Sequence, residues 1–308
     1  MKKLIIYIFI IPFVMMAFLS CEKDDPAPPP TVRISAEASE NDVFTYYFKA
    51  SVENASAYAW DFGDGRTSSE LNPEHTYEQS GTYEVTLTVT GDGGEASASM
   101  EVVITTRMDF LTGGPDNEDG KTWVLSTKAS TGDGAGIIRT NFPNNILKFP
   151  DNVLAAFGAQ AEYDNEYTFK HDGTYQVNNV NGNFLSGWLY ALNELGQSKI
   201  VATSSYGIFV VKEENPDNTT WEWQTGDFEI DATNEVTPGE IVHEKIIFED
   251  VDYLTFTNGG FMGILDYVST VLIREISKDK LVLSMFQHTN QDFPDKPSLC
   301  ITMTFVPK

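Results

Sequence analysis

The sequence predicts an all-β chain, in which a small antiparallel sandwich is followed by a larger β-sandwich or jelly-roll domain. Segments such as "FTYYFKASV" and "TYEVTLTVT" alternate apolar and polar residues with the period of two that half-buried strands show. Asp-Gly pairs and Gly-rich breaks separate these segments, as hairpin turns between antiparallel strands require. A closed lipocalin-like barrel is the alternative architecture for the larger domain.

The N-terminus has the pattern of an export signal over residues 1–20. Lys2 and Lys3 precede an apolar run that is shorter than the roughly 20 residues of a membrane span, although a membrane-anchor helix is the alternative. The stretch "AFLSC" resembles a bacterial lipobox, which implies that Cys21 carries lipid. The following "CEKDD" resembles the surface-export signal of Gram-negative gut glycan degraders. This resemblance implies a lipid-anchored protein on the outer face of the outer membrane.

The net charge limits the class of ligand that is expected, and the cysteine count limits the role of Cys300. The formal net charge is −25, so nucleic acid and anionic lipid are poor partners and a neutral ligand is expected. If Cys21 is lipidated, Cys300 has no intrachain partner and is expected to be a small buried apolar side chain. Residues 21–31 are predicted to form an extended Pro-rich tether, and the polar, Gly-rich residues 106–120 a linker.

The first domain, residues 32–105, contains "YAWDFGDG" followed by "NPEHTYEQSGTYEVTLTVT". These stretches resemble the PKD domain, a small immunoglobulin-like sandwich. Trp60 and Phe62 share a face and are expected to fill the core, while Asp61 and Asp64 are expected to accept backbone N–H bonds across the turn. The Asp-Phe-Gly triplet is therefore interpreted as architecture and not as a catalytic or calcium site. The resemblance implies a spacer or contact module.

The second domain, residues 121–308, is also predicted to be rich in strands. The stretch "YDNEYTFKHDGTYQV" predicts a hairpin in which Tyr167 and Phe169 face Tyr175 and Val177. A short helix is expected near residues 153–160. Seven further strands are predicted in "ATSSYGIFVV", "TTWEWQTGDFEI", "HEKIIFED", "DYLTFTN", "VSTVLIREI", "DKLVLSMF" and "LCITMTFV".

The order of several motifs indicates a function class. The stretches "GKTWVL", "YDNEYTFKHDGTY" and "ISKDKLVLSMF" follow the lipobox and the PKD-like domain. Together they resemble surface glycan-binding lipoproteins of polysaccharide-utilisation loci. This resemblance implies a non-catalytic protein without a cofactor that binds a neutral polysaccharide, with β-glucan as the preference. It also implies that the glycan passes to a nearby transporter or hydrolase. A structural or adhesive surface protein is an alternative.

Aromatic side chains are the candidate ligand-binding groups, because their flat faces can stack on the apolar faces of sugar rings. Trp188 and Tyr190 lie among Gly and Asn residues that favour an exposed loop, whereas Trp221 and Trp223 share one strand face that could equally be core. The candidates are Trp188, Tyr190, Tyr206, Trp221, Trp223 and Phe261.

A glycoside hydrolase of jelly-roll fold is the catalytic alternative. The stretch "GDFEIDATNE" resembles the active-site strand of laminarinase-type retaining β-glucanases, with Glu229, Asp231 and Glu235 on one face. The six-residue gap between the glutamates spans roughly 20 Å on a regular strand, but a retaining pair needs carboxyl groups about 5–5.5 Å apart. The four histidines have no metal-ligand spacing, so no metal site is expected.

Overall fold

A computed structural model of the protein describes residues 26–40, 42–140, 147–156, 158–204, 207–237 and 240–308. The predicted signal peptide and Cys21 lie outside the described residues. The chain is all-β, with a sandwich in each of its two halves. The strands of the N-terminal sandwich are β1 (Thr31–Ala38), β2 (Thr45–Glu53), β3 (Ala57–Asp61), β4 (Thr67–Ser68), β5 (Glu74–Thr76), β6 (Gly81–Gly91) and β7 (Gly94–Ile104).

Aromatic residues form the centre of the N-terminal sandwich. Its sheets have the strand orders β1-β2-β5 and β4-β3-β6-β7. Phe48 of β2 lies 5.4 Å from Trp60 of β3 and 5.2 Å from Phe62, measured between ring centroids, and all three side chains are buried. The prediction that Trp60 and Phe62 fill the core is confirmed.

The turn after β3 is held by its own aspartates. Asp61 Oδ1 accepts a hydrogen bond from the backbone N–H of Gly63 at 2.9 Å, and Asp64 Oδ1 accepts one from Arg66 at 3.0 Å. Short side chains that bond the backbone two residues ahead stabilise such turns. The predicted architectural role of both carboxylates is therefore confirmed.

Within the residues that the structure describes, the C-terminal half contains fourteen strands and three short α-helices, besides two 3₁₀ helices and one π-helix. The α-helices are α1 (Arg107–Thr112), α2 (Val153–Ala156) and α3 (Trp188–Tyr190). The strands are β8 (Lys121–Leu125), β9 (Gly134–Gly136), β10 (Leu147–Lys148), β11 (Glu166–Phe169), β12 (Tyr175–Asn178), β13 (Asn183–Gly187), β14 (Ile200–Ala202), β15 (Ile208–Lys212), β16 (Trp221–Thr237), β17 (Glu240–Phe256), β18 (Ile264–Leu265), β19 (Val271–Ile276), β20 (Leu281–Gln287) and β21 (Leu299–Pro307).

Two sheets build the C-terminal sandwich. The larger has ten strands, eight of them in the order β12-β11-β8-β21-β20-β19-β17-β16, and β9 joins it through β21 and pairs with β10. The smaller has the order β14-β15-β13-β18. The main core contains Leu283 and Phe305, and a second apolar cluster contains Phe286 and Cys300. Because alternate residues of β20 and β21 enter the two clusters, both strands are buried on both faces. The expectation that Cys300 is buried is confirmed.

The predicted hairpin forms with the expected register. Tyr167 lies opposite Val177, and Phe169 lies opposite Tyr175. The stretches "HEKIIFED" and "DYLTFTN", predicted as separate strands, form the single 17-residue strand β17. Its register against β16 shifts between Gly226 and Phe228. Such a bulge bends a strand without ending it, which explains the difference from the prediction. Helix α2 is shorter than the helix predicted over 153–160.

Helix α1 lies within the segment predicted to be a linker. Thr106 caps it: its side chain accepts from the backbone N–H of Asp109, and its own N–H donates to the Asp109 carboxylate. Leu111 is fully buried in the main core, and its carbonyl accepts the indole N–H of Trp123 at 2.9 Å. The chain is thus packed onto the C-terminal sheet before residue 120. Among the described residues, no helix is long and apolar enough to cross a membrane.

Candidate functional site

Trp188 begins helix α3 and is half-buried. Its backbone N–H donates to the carbonyl of Gly207 at 3.1 Å. Gly207 has a φ of +76°, and a Cβ at this position would lie 3.2 Å from Trp188 Cδ1. The edge of the indole therefore rests against the backbone of Gly207, which needs to be glycine for both its conformation and this contact.

The indole N–H groups distinguish Trp188 from the other four tryptophans. Each of the other four donates its indole N–H to an oxygen of the protein at 2.9–3.1 Å. The pairs are Trp60 with Glu70 O, Trp123 with Leu111 O, Trp221 with Lys170 O and Trp223 with Asp252 Oδ1. Within the described part of the chain, the indole N–H of Trp188 has no protein acceptor. Trp188 is thus a half-buried aromatic side chain that, as far as the described residues go, keeps its donor for a ligand or water.

An open cavity of about 460 Å³ lies beside Trp188. This volume is within the range of small-ligand sites. None of the described residues that line the cavity carries a formal charge, and most of them have a hydroxyl or amide group. The lining residues are Ile137, Trp188, Thr233, Thr289, Asn290, Gln291, Ser298 and Leu299. Such a wall can exchange hydrogen bonds with hydroxyl groups while one aromatic face contacts apolar atoms.

The polar wall is held together by its own hydrogen bonds. The hydroxyl oxygens of Thr289 and Ser298 lie 2.6 Å apart, and the backbone N–H of Thr289 donates to Ser298 Oγ at 2.9 Å. Asn290 Oδ1 accepts the backbone N–H of Asp292 at 2.9 Å, which leaves the amide NH₂ group as its donor. The segment after β20 therefore presents oriented polar groups to the cavity.

A buried Asp–His pair supports the start of α3. Asp266 Oδ1 lies 2.7 Å from His288 Nδ1, and both side chains are almost fully buried. Asp266 Oδ1 also accepts the backbone N–H of Tyr267 at 2.7 Å. A Cβ on Gly187 would lie 1.9 Å from Asp266 Oδ2, so the carboxylate packs directly on the backbone that precedes Trp188. The pair thereby fixes α3 against the end of β20.

Gln287, the last residue of β20, is also part of this supporting layer. It is fully buried, and neither its Oε1 nor its Nε2 has a partner among the described residues. Its Nε2 lies 3.4 Å from the position that a Cβ on Gly187 would take. A buried amide without partners requires an additional polar atom, such as that of an internal water. Sequence reasoning missed Asp266, Gln287 and His288, because nothing local in the sequence indicates their proximity.

The structure corrects two of the predicted ligand-binding residues. Trp221 is only 4% exposed, its ring packs edge-on against Phe169 at 5.4 Å, and its indole N–H is bonded to the backbone. Phe261 is 2% exposed and packs edge-on against Phe184 at 5.0 Å. Both rings belong to the main core, so neither has a face free for a ligand. Strand alternation predicted that Trp221 shares a face with Trp223, but not whether the side chains on that face are exposed or buried.

The remaining aromatic candidates differ in their surroundings. The guanidinium of Arg107 lies 5.4 Å from the ring of Trp223, which is half-buried and also packs against the main core. Tyr190 is half-buried, and its ring lies 5.1 Å from Tyr267. Two residues apart on a helix are separated by about 200°, so Trp188 and Tyr190 do not form one flat platform. Tyr206 lies outside the described residues.

Two acidic residues of β16, Glu229 and Asp231, are exposed and paired with lysines. Glu229 lies 2.5 Å from Lys245 Nζ, and Asp231 lies 2.7 Å from Lys296 Nζ. The register from Phe228 to Glu235 is uninterrupted, so no residue loops out to bring the two glutamates together. This strand does not supply the close carboxylate pair of a retaining glycosidase. No group of three His, Cys, Asp or Glu side chains in the described ranges could hold a metal ion.

Comparison with known proteins identifies the first domain. The family model described as PKD domain matches residues 25–106. These residues form a PKD domain. The chain is 52% identical over 56 residues to collagenase ColQ1 of Bacillus cereus strain Q1, which covers 18% of this chain and 6% of the collagenase. It is 30% identical over 152 residues to the pre-pro-metalloprotease PrtV of Vibrio cholerae, which covers 43% of this chain and 16% of the protease.

A solved PKD domain gives a similar match. The PKD1 domain of Vibrio anguillarum Epp is 28% identical, covers 26% of this chain and 98% of its own, and has a TM-score of 0.24. The two curated relatives are matched over 6% and 16% of their lengths. The similarity therefore covers a small part of two much longer proteins.

Proposed function

We propose that this protein is a non-catalytic binding protein that holds a neutral polysaccharide at Trp188. The observation that carries the proposal is the half-buried indole of Trp188, whose N–H has no acceptor within the described chain and which borders a cavity whose described lining residues are uncharged. The other four tryptophans have internal acceptors for their N–H groups.

The lining matches the chemistry of a sugar. An indole can stack on the C–H face of a pyranose ring while its N–H donates to a hydroxyl oxygen. Thr289, Ser298 and Asn290 provide further hydroxyl and amide groups. A formal net charge of −25 disfavours anionic glycans, which leaves neutral ones. One aromatic stack contributes about 1 kcal/mol, so recognition is expected to be weak and to gain from dense display.

The remaining segments fit a surface-anchored version of this function. In the proposal, Cys21 carries lipid at the outer membrane, and the Pro-rich tether and PKD domain hold the C-terminal domain away from the bilayer. The bound glycan then passes to a transporter or hydrolase of the same system. Incorporation of labelled fatty acid into the wild type, and its loss in Cys21→Ala, tests the anchor separately from binding.

The test of binding is affinity gel electrophoresis of residues 22–308 in gels that contain neutral or acidic polysaccharides, including β-glucan. Trp188→Ala is compared with Trp223→Ala, a matched change at another half-buried tryptophan. The proposal predicts that one or more neutral glycans retard the wild type and the Trp223 variant, but not the Trp188 variant. It also predicts no new reducing ends during incubation.

Two results would replace this function with another. New reducing ends would establish a hydrolase and direct attention back to Glu229. The PKD domain is similar to segments of proteins named collagenases, so sedimentation with insoluble collagen is measured in parallel. Binding to collagen without retardation by any glycan would favour an adhesive function for the PKD domain.

A further inference from the structure

A second aromatic side chain, Tyr267, is exposed beside the helix that carries Trp188. Tyr267 is 39% exposed and is the one aromatic residue among the large exposed apolar side chains of the described C-terminal half. Its ring lies 5.1 Å from Tyr190 and 4.9 Å from His288, in edge-on arrangements. The ring is thus supported on two sides while it remains accessible to solvent.

Polar groups surround this ring. Asn193 Nδ2 lies 3.4 Å from the Tyr267 hydroxyl, and Glu194 is an exposed neighbour on the same turn as Asn193. Partial burial raises the pKa of the Tyr267 phenol, so the hydroxyl stays protonated at neutral pH. Tyr267 can therefore offer an aromatic surface to a ligand, with the polar side chains of Asn193 and Glu194 beside its hydroxyl.

The structure holds Tyr267 and the Trp188 cavity as fixed neighbours. His288, which contacts the Tyr267 ring, directly precedes Thr289, which lines the cavity, and consecutive Cα atoms are about 3.8 Å apart. Trp188 and Tyr190 lie on the same short helix. The buried Asp266–His288 pair joins the segments that carry these residues. The distance between the two aromatic groups is therefore set by the fold.

We propose that Tyr267 forms a second subsite for the glycan held at Trp188, so that the ligand is an oligosaccharide and not a single sugar. This inference rests on the proposed function. A chain that reaches both aromatic groups gains two stacking contacts, whereas a short sugar bound at Trp188 gains one. Each contact is expected to change the dissociation constant about fivefold.

The experiment uses residues 22–308 and β-glucan hydrolysed into disaccharide and long-oligosaccharide fractions, with binding measured by calorimetry. Tyr267→Ala is expected to weaken binding of the long fraction about fivefold and to leave the disaccharide unaffected, whereas Trp188→Ala weakens binding of both. Tyr267→Phe keeps the ring and is expected to retain most of the affinity. Tyr47→Ala, a change at an exposed tyrosine of the PKD domain, is the matched control.

The outcomes separate the inference from the function on which it rests. If Trp188→Ala weakens both fractions and Tyr267→Ala weakens neither, the second subsite is wrong while the proposed function stands. If the wild type binds neither fraction, or Trp188→Ala changes nothing, both fail for this glycan. Equal weakening of the disaccharide and the long fraction by Tyr267→Ala would also contradict a separate subsite.

Discussion

Trp221 is expected to stabilise the C-terminal domain without contributing to ligand binding. Replacing it by alanine removes a 4% exposed indole from the main core, its edge contact with Phe169 and its hydrogen bond to Lys170 O. Large-to-small changes of buried aromatic residues cost about 3–5 kcal/mol, depending on how far the site collapses. Trp221→Phe keeps most of the ring and is expected to cost less, because it loses mainly the hydrogen bond, about 1 kcal/mol, and leaves a smaller void.

Hydrogen exchange measured by mass spectrometry suits this two-domain chain, because it reports the opening free energy of each domain separately. Peptides from β20 report the C-terminal domain, and peptides from β6 report the PKD domain. Trp221→Ala should lower the opening free energy at β20 by about 3–5 kcal/mol and leave β6 unchanged. A loss below about 1 kcal/mol, accompanied by loss of glycan binding, would refute the placement of Trp221 in the core.

Three further predictions concern the buried Glu162, the backbone at Gly187 and the exposed Glu229. Burial raises the pKa of Glu162 above its ordinary value of 4.5. The folded protein therefore loses stability as the pH rises from about 4.5 through the raised pKa, because the buried carboxyl group must then ionise. Glu162→Gln should therefore flatten the decline of thermal stability with rising pH and raise the melting temperature at neutral pH. Gly187→Ala places a Cβ 1.9 Å from Asp266 Oδ2, and this clash should cost about 1–3 kcal/mol of stability. The variant should also be retarded less by glycan in gels. Unchanged retardation would contradict the supporting role of Asp266. Glu229→Gln removes an exposed ion pair, so the free energy of unfolding from urea titrations should change by less than about 1 kcal/mol. Glycan binding should stay intact. A loss of binding would contradict the assignment of Glu229 to a surface ion pair.

Local patterns predicted much of the fold. The hairpin of β11 and β12 follows from alternation around an Asp-Gly turn, and its register is set by the same few residues. The core role of Trp60 and Phe62 follows from their parity and from the turn that they flank. These features depend on contacts close in sequence, which is why reading the chain in short windows sufficed.

The site required information that local patterns lack. Both Trp188 and Trp221 lie in aromatic, polar stretches, and only the packing of the sheets shows that the first is half-buried and the second fully buried. The pairing of Asp266 with His288 joins positions 22 residues apart, and the cavity gathers residues from 137 to 299. A period of two indicates that residues share a face, but not whether that face meets solvent or a second sheet.

The central claim is that a neutral glycan contacts Trp188, and the indole N–H resonances test it most directly. Residues 22–308 labelled with ¹⁵N should give five indole signals, assigned by Trp→Phe variants, during titration with a glycan that retards the protein in gels. The account predicts that the Trp188 signal shifts with ligand concentration, because its N–H has no acceptor among the described residues and borders the cavity, while the signals of Trp60, Trp123 and Trp221 stay fixed. A shift confined to other tryptophans, with Trp188 unchanged at saturation, would contradict it.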